Sequence, residues 1–232
     1  DPAAVAAALA RRRRALLAVH KLGLPADLVA LQELATRHGL LLVEDAACAL
    51  GATWQGAPIG APGLCCFSFH PRKVITTGEG GMITTDDEAL AARCRRLRNQ
   101  GIGQGAAERH NATALPPEEF PETGYNYRLT DVQAAIGRVQ LRRLPALLAQ
   151  RRALAARYET LLSALGRPEL QLPLTTPAAA GHSYQSYMVL LPPATPRDRV
   201  AEALLHRGIA VRRGLTAIHR TAAYGAAARG VS

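Results

Sequence analysis

A strand–helix–strand pattern near the start of the chain constrains its fold most. Ala15–His20 reads ALLAVH, a short apolar run of strand length, and Gly23-Leu-Pro25 turns the chain. Asp27–His38 then places Leu28, Leu31, Leu34 and Ala35 at helical spacing, with Gly39 where a helix stops. Leu40–Val43 is a continuous apolar run, the pattern of a strand buried on both faces. Such a unit implies a parallel pair joined by a right-handed crossover. The chain therefore reads as α/β, and open α/β sheets bind ligands beyond the carboxyl ends of their strands.

Further elements follow. Gly51–Gly63 is rich in Gly and Pro and reads as a loop or hairpin; Leu64–Phe69 and Gly81–Thr85 read as strands. Asp86 is the expected cap of a helix over Asp87–Asn99, which Gly101 ends. Gln104–Glu122, broken by Pro116, Pro117 and Pro121, reads as a mobile or partner-facing loop. Thr130 and Gln133 have capping-box spacing and open a helix with Val132, Ile136, Val139 and Leu144 on its apolar side. Pro145 is expected to kink or restart that helix, with a second one over Ala146–Leu165. After a linker, Gly166–Gly181, a strand (Tyr184–Leu191), a helix (Arg197–Arg207) and a strand (Ile209–Arg213) suggest a smaller α+β unit. The expected division is a large domain over 1–150 and a small C-terminal domain over 151–232.

Composition narrows the function classes. The 232 residues are 48% hydrophobic and 20% charged, ordinary for a packed protein. No apolar run reaches the length of a membrane span and no leader pattern is visible, so no membrane partner and a cytoplasmic location are expected. The net charge of +10, from 28 Lys and Arg against 18 Asp and Glu, raises nucleic acid as a partner. Yet the arginines are spread along helical stretches (Arg93, Arg95, Arg142, Arg143, Arg151, Arg152), and only 4% of residues are aromatic, leaving few stacking platforms. No nucleic-acid partner is expected; a basic surface also suits a phosphorylated small ligand. Cys48, Cys65, Cys66 and Cys94 form no C-x-x-C pair and read as reduced thiols. Cys66 and His70 share a strand face, but two ligands do not make a zinc site, and no metal is expected.

The chemistry concentrates in Cys65–Thr85, CCFSFHPRKVITTGEGGMITT, which holds one lysine, Lys73. A lysine near its ordinary pKa of about 10.4 is protonated at neutral pH and is no nucleophile. Burial beside a cofactor changes that and permits a Schiff base. A pyridoxal cofactor then needs a carboxylate for its ring nitrogen and donors for its phosphate. Asp45 ends a strand, and Ser68 and the Gly78–Gly81 turn lie close to Lys73 in sequence. Opposite charges at about 4 Å interact by roughly 4 kcal/mol at an effective dielectric of 20, enough to bias the ring's protonation. On residue types alone, Lys73 can equally be a solvated charge and Asp45 a cap or loop carboxylate. His20 and His182 read as packed or loop-bonded, and His219 as a surface residue.

EDAA (Glu44–Ala47), SFHPRK (Ser68–Lys73), TGEGG (Thr77–Gly81) and GYNYRLTDVQAAIG (Gly124–Gly137) stand in this order. Together they resemble the DegT/DnrJ/EryC1/StrS family of pyridoxal-phosphate-dependent nucleotide-sugar aminotransferases, from about Asp1 to Ala164 and more weakly over Gly208–Tyr224. The resemblance implies a type I aminotransferase fold, with a three-layer α/β/α large domain present in part, and a homodimer with shared active sites. It implies that Lys73 carries pyridoxal 5'-phosphate as the internal aldimine and moves the proton, and that Asp45 pairs with the pyridinium nitrogen. Ser68 would bind the phosphate, and Asn126 would reach the phosphate of the neighbouring subunit. The implied reaction moves an amino group from glutamate to a nucleotide-linked keto-sugar, in amino-sugar biosynthesis.

Two departures stand out. Many relatives carry Gln or His three residues after the aspartate, near the cofactor's ring hydroxyl; here that residue is Cys48, a weak hydrogen-bonding group. Relatives also have an upstream portion with a phosphate loop, so the chain is expected to be a central piece of a longer enzyme. Other readings are a dehydratase of the same fold, whose relatives replace the lysine by histidine, and a non-catalytic regulatory protein that keeps the fold.

Overall fold

Three parallel strands and one antiparallel strand make the main sheet, in the order β1 (Ala15–Val19), β2 (Leu41–Asp45), β5 (Leu64–Ser68), β6 (Gly81–Thr84). A two-stranded hairpin, β3 (Thr53–Trp54) with β4 (Ala57–Pro58), lies between β2 and β5 in the chain. The helices are α1 (Pro2–Ala8), α2 (Leu28–Arg37), α3 (Glu88–Leu97), α4 (Asp131–Ser163) and α5 (Arg197–His206). This computed structural model describes residues 1–9, 14–61, 63–103, 119–173, 181–217 and 221–224. His219 and most of the loop expected over Gln104–Glu122 lie outside the described residues.

The expected crossover is present: α2 joins β1 to β2, whose register runs from Ala15–Leu41 to Val19–Asp45. Asp27 caps α2, its carboxylate accepting from the Ala30 amide at 3.2 Å. Leu31, Leu34 and Ala35 form the buried stripe that the spacing predicts. β2 runs two residues past the apolar run, through Glu44 and Asp45, because ladders on both sides extend there. Asp45 aligns with Val19 and Cys66, so β1 and β2 end level at one edge while β5 runs two residues further, to Ser68. In the hairpin, Gln55 and Gly56 both have positive φ (49° and 85°), the turn whose twist suits two short antiparallel strands. Ala46, Ala49, Ala52, Ile59 and Cys65 pack together, so the small residues after β2 let that turn settle on β5.

Four expectations need correction. The cap of α3 is Asp87, which accepts from the Leu90 amide at 2.9 Å; Asp86 accepts instead from Gly63 at 3.1 Å. α4 runs unbroken through Pro145. Proline removes a single N–H, and buried Leu148 and Ala155 anchor the helix beyond it. The strands expected over Tyr184–Leu191 and Ile209–Arg213 do not form: Tyr184 has φ 49°, and of these residues only Leu190 makes a bridge, to Gln171. An alternating pattern becomes a strand only where a neighbouring ladder accepts it.

The chain divides into two compact units, Asp1–Tyr158 with Leu174–Tyr187, and Glu159–Pro173 with Met188–Ser232. The first holds the sheet and most of α4. The second holds α5, the Gln171–Leu190 bridge and the exposed pair of Asp198 with Arg213 at 3.0 Å. Among the described residues no helix is long and apolar enough to cross a membrane.

Candidate active site

Two loops meet at the carboxyl edge of the sheet. One leaves β2 through Asp45-Ala46-Ala47-Cys48; the other leaves β5 and carries Lys73. They meet because Asp45 and Cys66 are register partners in parallel strands, so β2 ends within two residues of the end of β5 on the same edge. The Lys73 Nζ lies 3.1 Å from the Cys48 Sγ. Among the described residues the Lys73 amine forms no ion pair with a carboxylate, unlike an ordinary surface lysine in a salt bridge. The Asp45 Oδ1 accepts from the Ala47 amide at 3.0 Å, the local turn that a loop carboxylate makes. Its other oxygen takes no hydrogen bond among the described residues and stays available as an acceptor. Burial first, then the Asp45 charge and Cys94, push the Cys66 thiol above its ordinary range.

The Lys73 loop is held by its own backbone. The Phe69 amide donates to Gly80 at 2.9 Å, and Thr77 donates back to the Phe69 carbonyl at 3.1 Å. The Lys73 amide donates to the His70 carbonyl at 2.9 Å, and Val74 and Ile75 after it are buried. Those two apolar side chains pin the loop while Lys73 stays half-buried at its crest. Ser68 is the last residue of β5; its Oγ accepts from the His70 amide at 3.3 Å, so its hydroxyl hydrogen is free to donate. In the Gly78–Gly81 turn, the Gly78 amide is already bound by the Thr76 hydroxyl at 3.0 Å. The Glu79 carbonyl accepts from the Gln133 side chain at 2.8 Å, so this turn seats the start of α4.

Beneath Asp45 lies a buried pair. His20 is fully buried and Glu44 nearly so, with Nε2 and Oε2 2.9 Å apart. The Ala26 amide donates to His20 Nδ1 at 3.0 Å, which assigns the ring proton to Nε2 and makes His20 a donor to Glu44. The His20 amide also donates to the Asp45 carbonyl at 3.0 Å, tying the pair to the strand end. Nearby burial, then the Glu44 charge, push the Cys65 thiol up to about 12.

Asn126 is not brought to this group. It is exposed, bridges Asn99, and makes no hydrogen bond to Asp45, Cys48, Ser68 or Lys73. Its segment follows the end of α3: Gln100 donates to the Tyr125 carbonyl at 2.8 Å and Tyr127 to Arg98 at 2.9 Å. Exposed Tyr125 and Tyr127 stack with ring centroids 5.0 Å apart. Two residues absent from the sequence reading do reach the site: Ser183 Oγ lies 3.4 Å from the Cys48 carbonyl, and Gln185 Nε2 3.1 Å from the Arg72 carbonyl. They stand more than a hundred residues away in the chain, so no local spacing marks them.

Residues 1–231 match the DegT/DnrJ/EryC1/StrS aminotransferase family. The chain belongs to that family. Among solved structures it is similar to DesV of S. venezuelae, crystallised with a ketimine intermediate: 39% identity, TM-score 0.84, covering 97% of this chain and 56% of DesV. It is similar to the aminotransferase TlmJ of Streptoalloteichus hindustanus: 35% identity, TM-score 0.85, covering 97% of this chain and 58% of TlmJ. DesI, solved in the presence of its TDP-sugar product, matches at 33% identity and TM-score 0.77, covering 91% of this chain and 51% of DesI. The chain thus spans somewhat over half the length of the first two and has the mixed α/β fold of sugar aminotransferases.

Proposed function

We propose that this chain carries the lysine and carboxylate of an aminotransferase that moves an amino group from glutamate to a nucleotide-linked keto-sugar, using pyridoxal 5'-phosphate. The observation that carries this reading is a lysine amine that has, among the described residues, no carboxylate partner and lies 3.1 Å from the thiol of a turn that begins at Asp45. The donor set fits the cofactor. Lys73 offers an amine; among the described residues Asp45 keeps a carboxylate oxygen without a donor and Ser68 a hydroxyl hydrogen without an acceptor. The likeness to DesI supports a nucleotide-linked sugar as substrate.

When bound, pyridoxal phosphate supplies an electron sink for a carbanion at the substrate carbon. The protein's own residues then do the following. The Asp45 carboxylate holds a proton on the ring nitrogen, because an anion beside it favours the charged form. The Lys73 amine would serve as the base that takes a proton from the substrate carbon and returns it. Ser68 would donate to a phosphate oxygen, and Cys48 would face the ring's hydroxyl side with only a weak donor. Asn126 serves the site of a neighbouring subunit, in a homodimer. The expected division of labour leaves 1–150 as the cofactor-binding part and 151–232 as the small domain.

The test is chemical. Pyridoxal phosphate added to the protein should give a visible absorbance band that borohydride fixes as one adduct on Lys73, mapped by peptide mass. Lys73→Ala should lose it; an adduct persisting elsewhere in the site would overturn the assignment. Incubation with glutamate should release 2-oxoglutarate, and a keto-sugar nucleotide should then return as the amino sugar. A deoxygenated sugar product would point to the dehydratase reading, and no glutamate reaction to a non-catalytic role.

A further inference from the structure

We propose that Ser183 and Gln185 are positioning residues for Lys73, acting through the two loops that bring its amine to Cys48. The inference rests on Lys73 as the reacting amine, but its test is independent of the cofactor. The segment Gly181–Ser186 lies across both loops as a strap. Ser183, fully buried, shares its hydroxyl between the carbonyls of Cys48 (3.4 Å) and Gly23 (3.5 Å), and its amide donates to Gly23 at 2.9 Å. Two residues on, the Gln185 side-chain amide donates to the carbonyl of Arg72, the residue before Lys73, at 3.1 Å. One short segment therefore grips the backbone at Cys48 and next to Lys73.

The strap is itself over-determined, which a positioning role requires. Arg151 Nη1 donates to the Tyr184 carbonyl at 3.0 Å, and Arg152 Nε donates to His182 at 3.2 Å. Ser186 donates to the Leu22 carbonyl at 3.4 Å. Tyr184 (φ 49°) and Leu22 (φ 58°), in the two segments joined by this contact, lie in the left-handed region that side chains avoid. Such strain persists only where surrounding contacts enforce it, and it concentrates at functional sites. Gly23, next to Leu22, admits no side chain, since a Cβ there would run into the Ser183 hydroxyl.

Ortho-phthalaldehyde reports the distance directly. It condenses with one amine and one thiol held close together, forming a fluorescent isoindole with loss of two waters. In cofactor-free protein, the isoindole should form between Lys73 and Cys48, identified by peptide mass. Gln185→Met keeps the length but removes the donor, and Ser183→Ala removes the hydroxyl. Each should slow isoindole formation about fivefold, the factor matching one hydrogen bond of ordinary net strength. Leu31→Ala, a core change in α2, should leave the rate of folded protein unaltered. The proposal is overturned if the wild-type protein forms no isoindole at this pair, if both strap variants react at the wild-type rate, or if Leu31→Ala slows it equally. Borohydride fixation on Lys73 is read separately. Its failure with the isoindole result intact would remove the aminotransferase reading and leave the positioning role standing.

Discussion

His182 is nearly fully buried, and burial above all, with the charge of Arg152 adding to it, lowers its imidazole to about 4; a hydrogen bond to Gly23 opposes the shift. In an unfolded chain the ring titrates near 6.5. Below that pH the unfolded state binds a proton that the folded state refuses, so stability is full above about 6.5 and declines as pH falls toward 4. The loss is at most on the order of 3 kcal/mol at the low end. Urea unfolding at pH 7 and pH 4.5 should show a smaller difference for His182→Gln than for the wild-type protein. Cys65, with its thiol pushed up to about 12, should escape alkylation by iodoacetamide at pH 8 until the chain unfolds. These environments were not legible in the sequence: His182 and His20 read alike as packed or loop-bonded. Only packing revealed that one is stacked on Tyr184, with ring centroids 4.0 Å apart, while the other donates to a buried carboxylate.

The start of α4 shows what an element can reveal on its own. The capping box forms as the spacing predicts, Gln133 donating to the Thr130 hydroxyl at 3.2 Å and Thr130 to the Gln133 side chain at 3.0 Å. Gln133 also reaches the Glu79 carbonyl, so the cap doubles as a tether to the Lys73 loop. Thr130→Ala should cost about 1 kcal/mol in chemical unfolding. Gly181 is constrained differently: a Cβ there would run into the Thr53 carbonyl. Gly181→Ala should therefore be more damaging than the cap variant, by about 2 kcal/mol or more in the same measurement, because backbone must move. Helix caps are local chemistry and readable from four residues. The contact of Gly181 with Thr53 joins positions far apart in the chain and carries no local pattern.

At the scale of the molecule, apolar side chains remain exposed on the sheet and along α4, among them Leu17, Leu41, Met82, Val132, Ile136 and Val139. A homodimer, as proposed, covers part of such a surface. Sedimentation velocity at micromolar concentration should show a dimer, and Val132→Glu should shift the population toward monomer. A monomer in the wild-type protein would remove the shared site and the role proposed for Asn126.

The sequence by itself determined the α/β class, the parallel crossover, the position of the acidic pair at a strand end and the family motifs that single out Lys73 and Asp45. The first three rest on periodicity or spacing within a short stretch, where local chemistry is written in neighbouring residues; the last rests on the resemblance of four ordered motifs to the family. Tertiary structure alone decided that Lys73 meets Cys48, that Glu44 is buried against His20, and that Ser183 and Gln185 close over both loops. Strand register aligns the loop ends, and hydrogen bonds across more than a hundred residues hold them there. Such meetings depend on how far each chain segment travels before it returns, which no local pattern records.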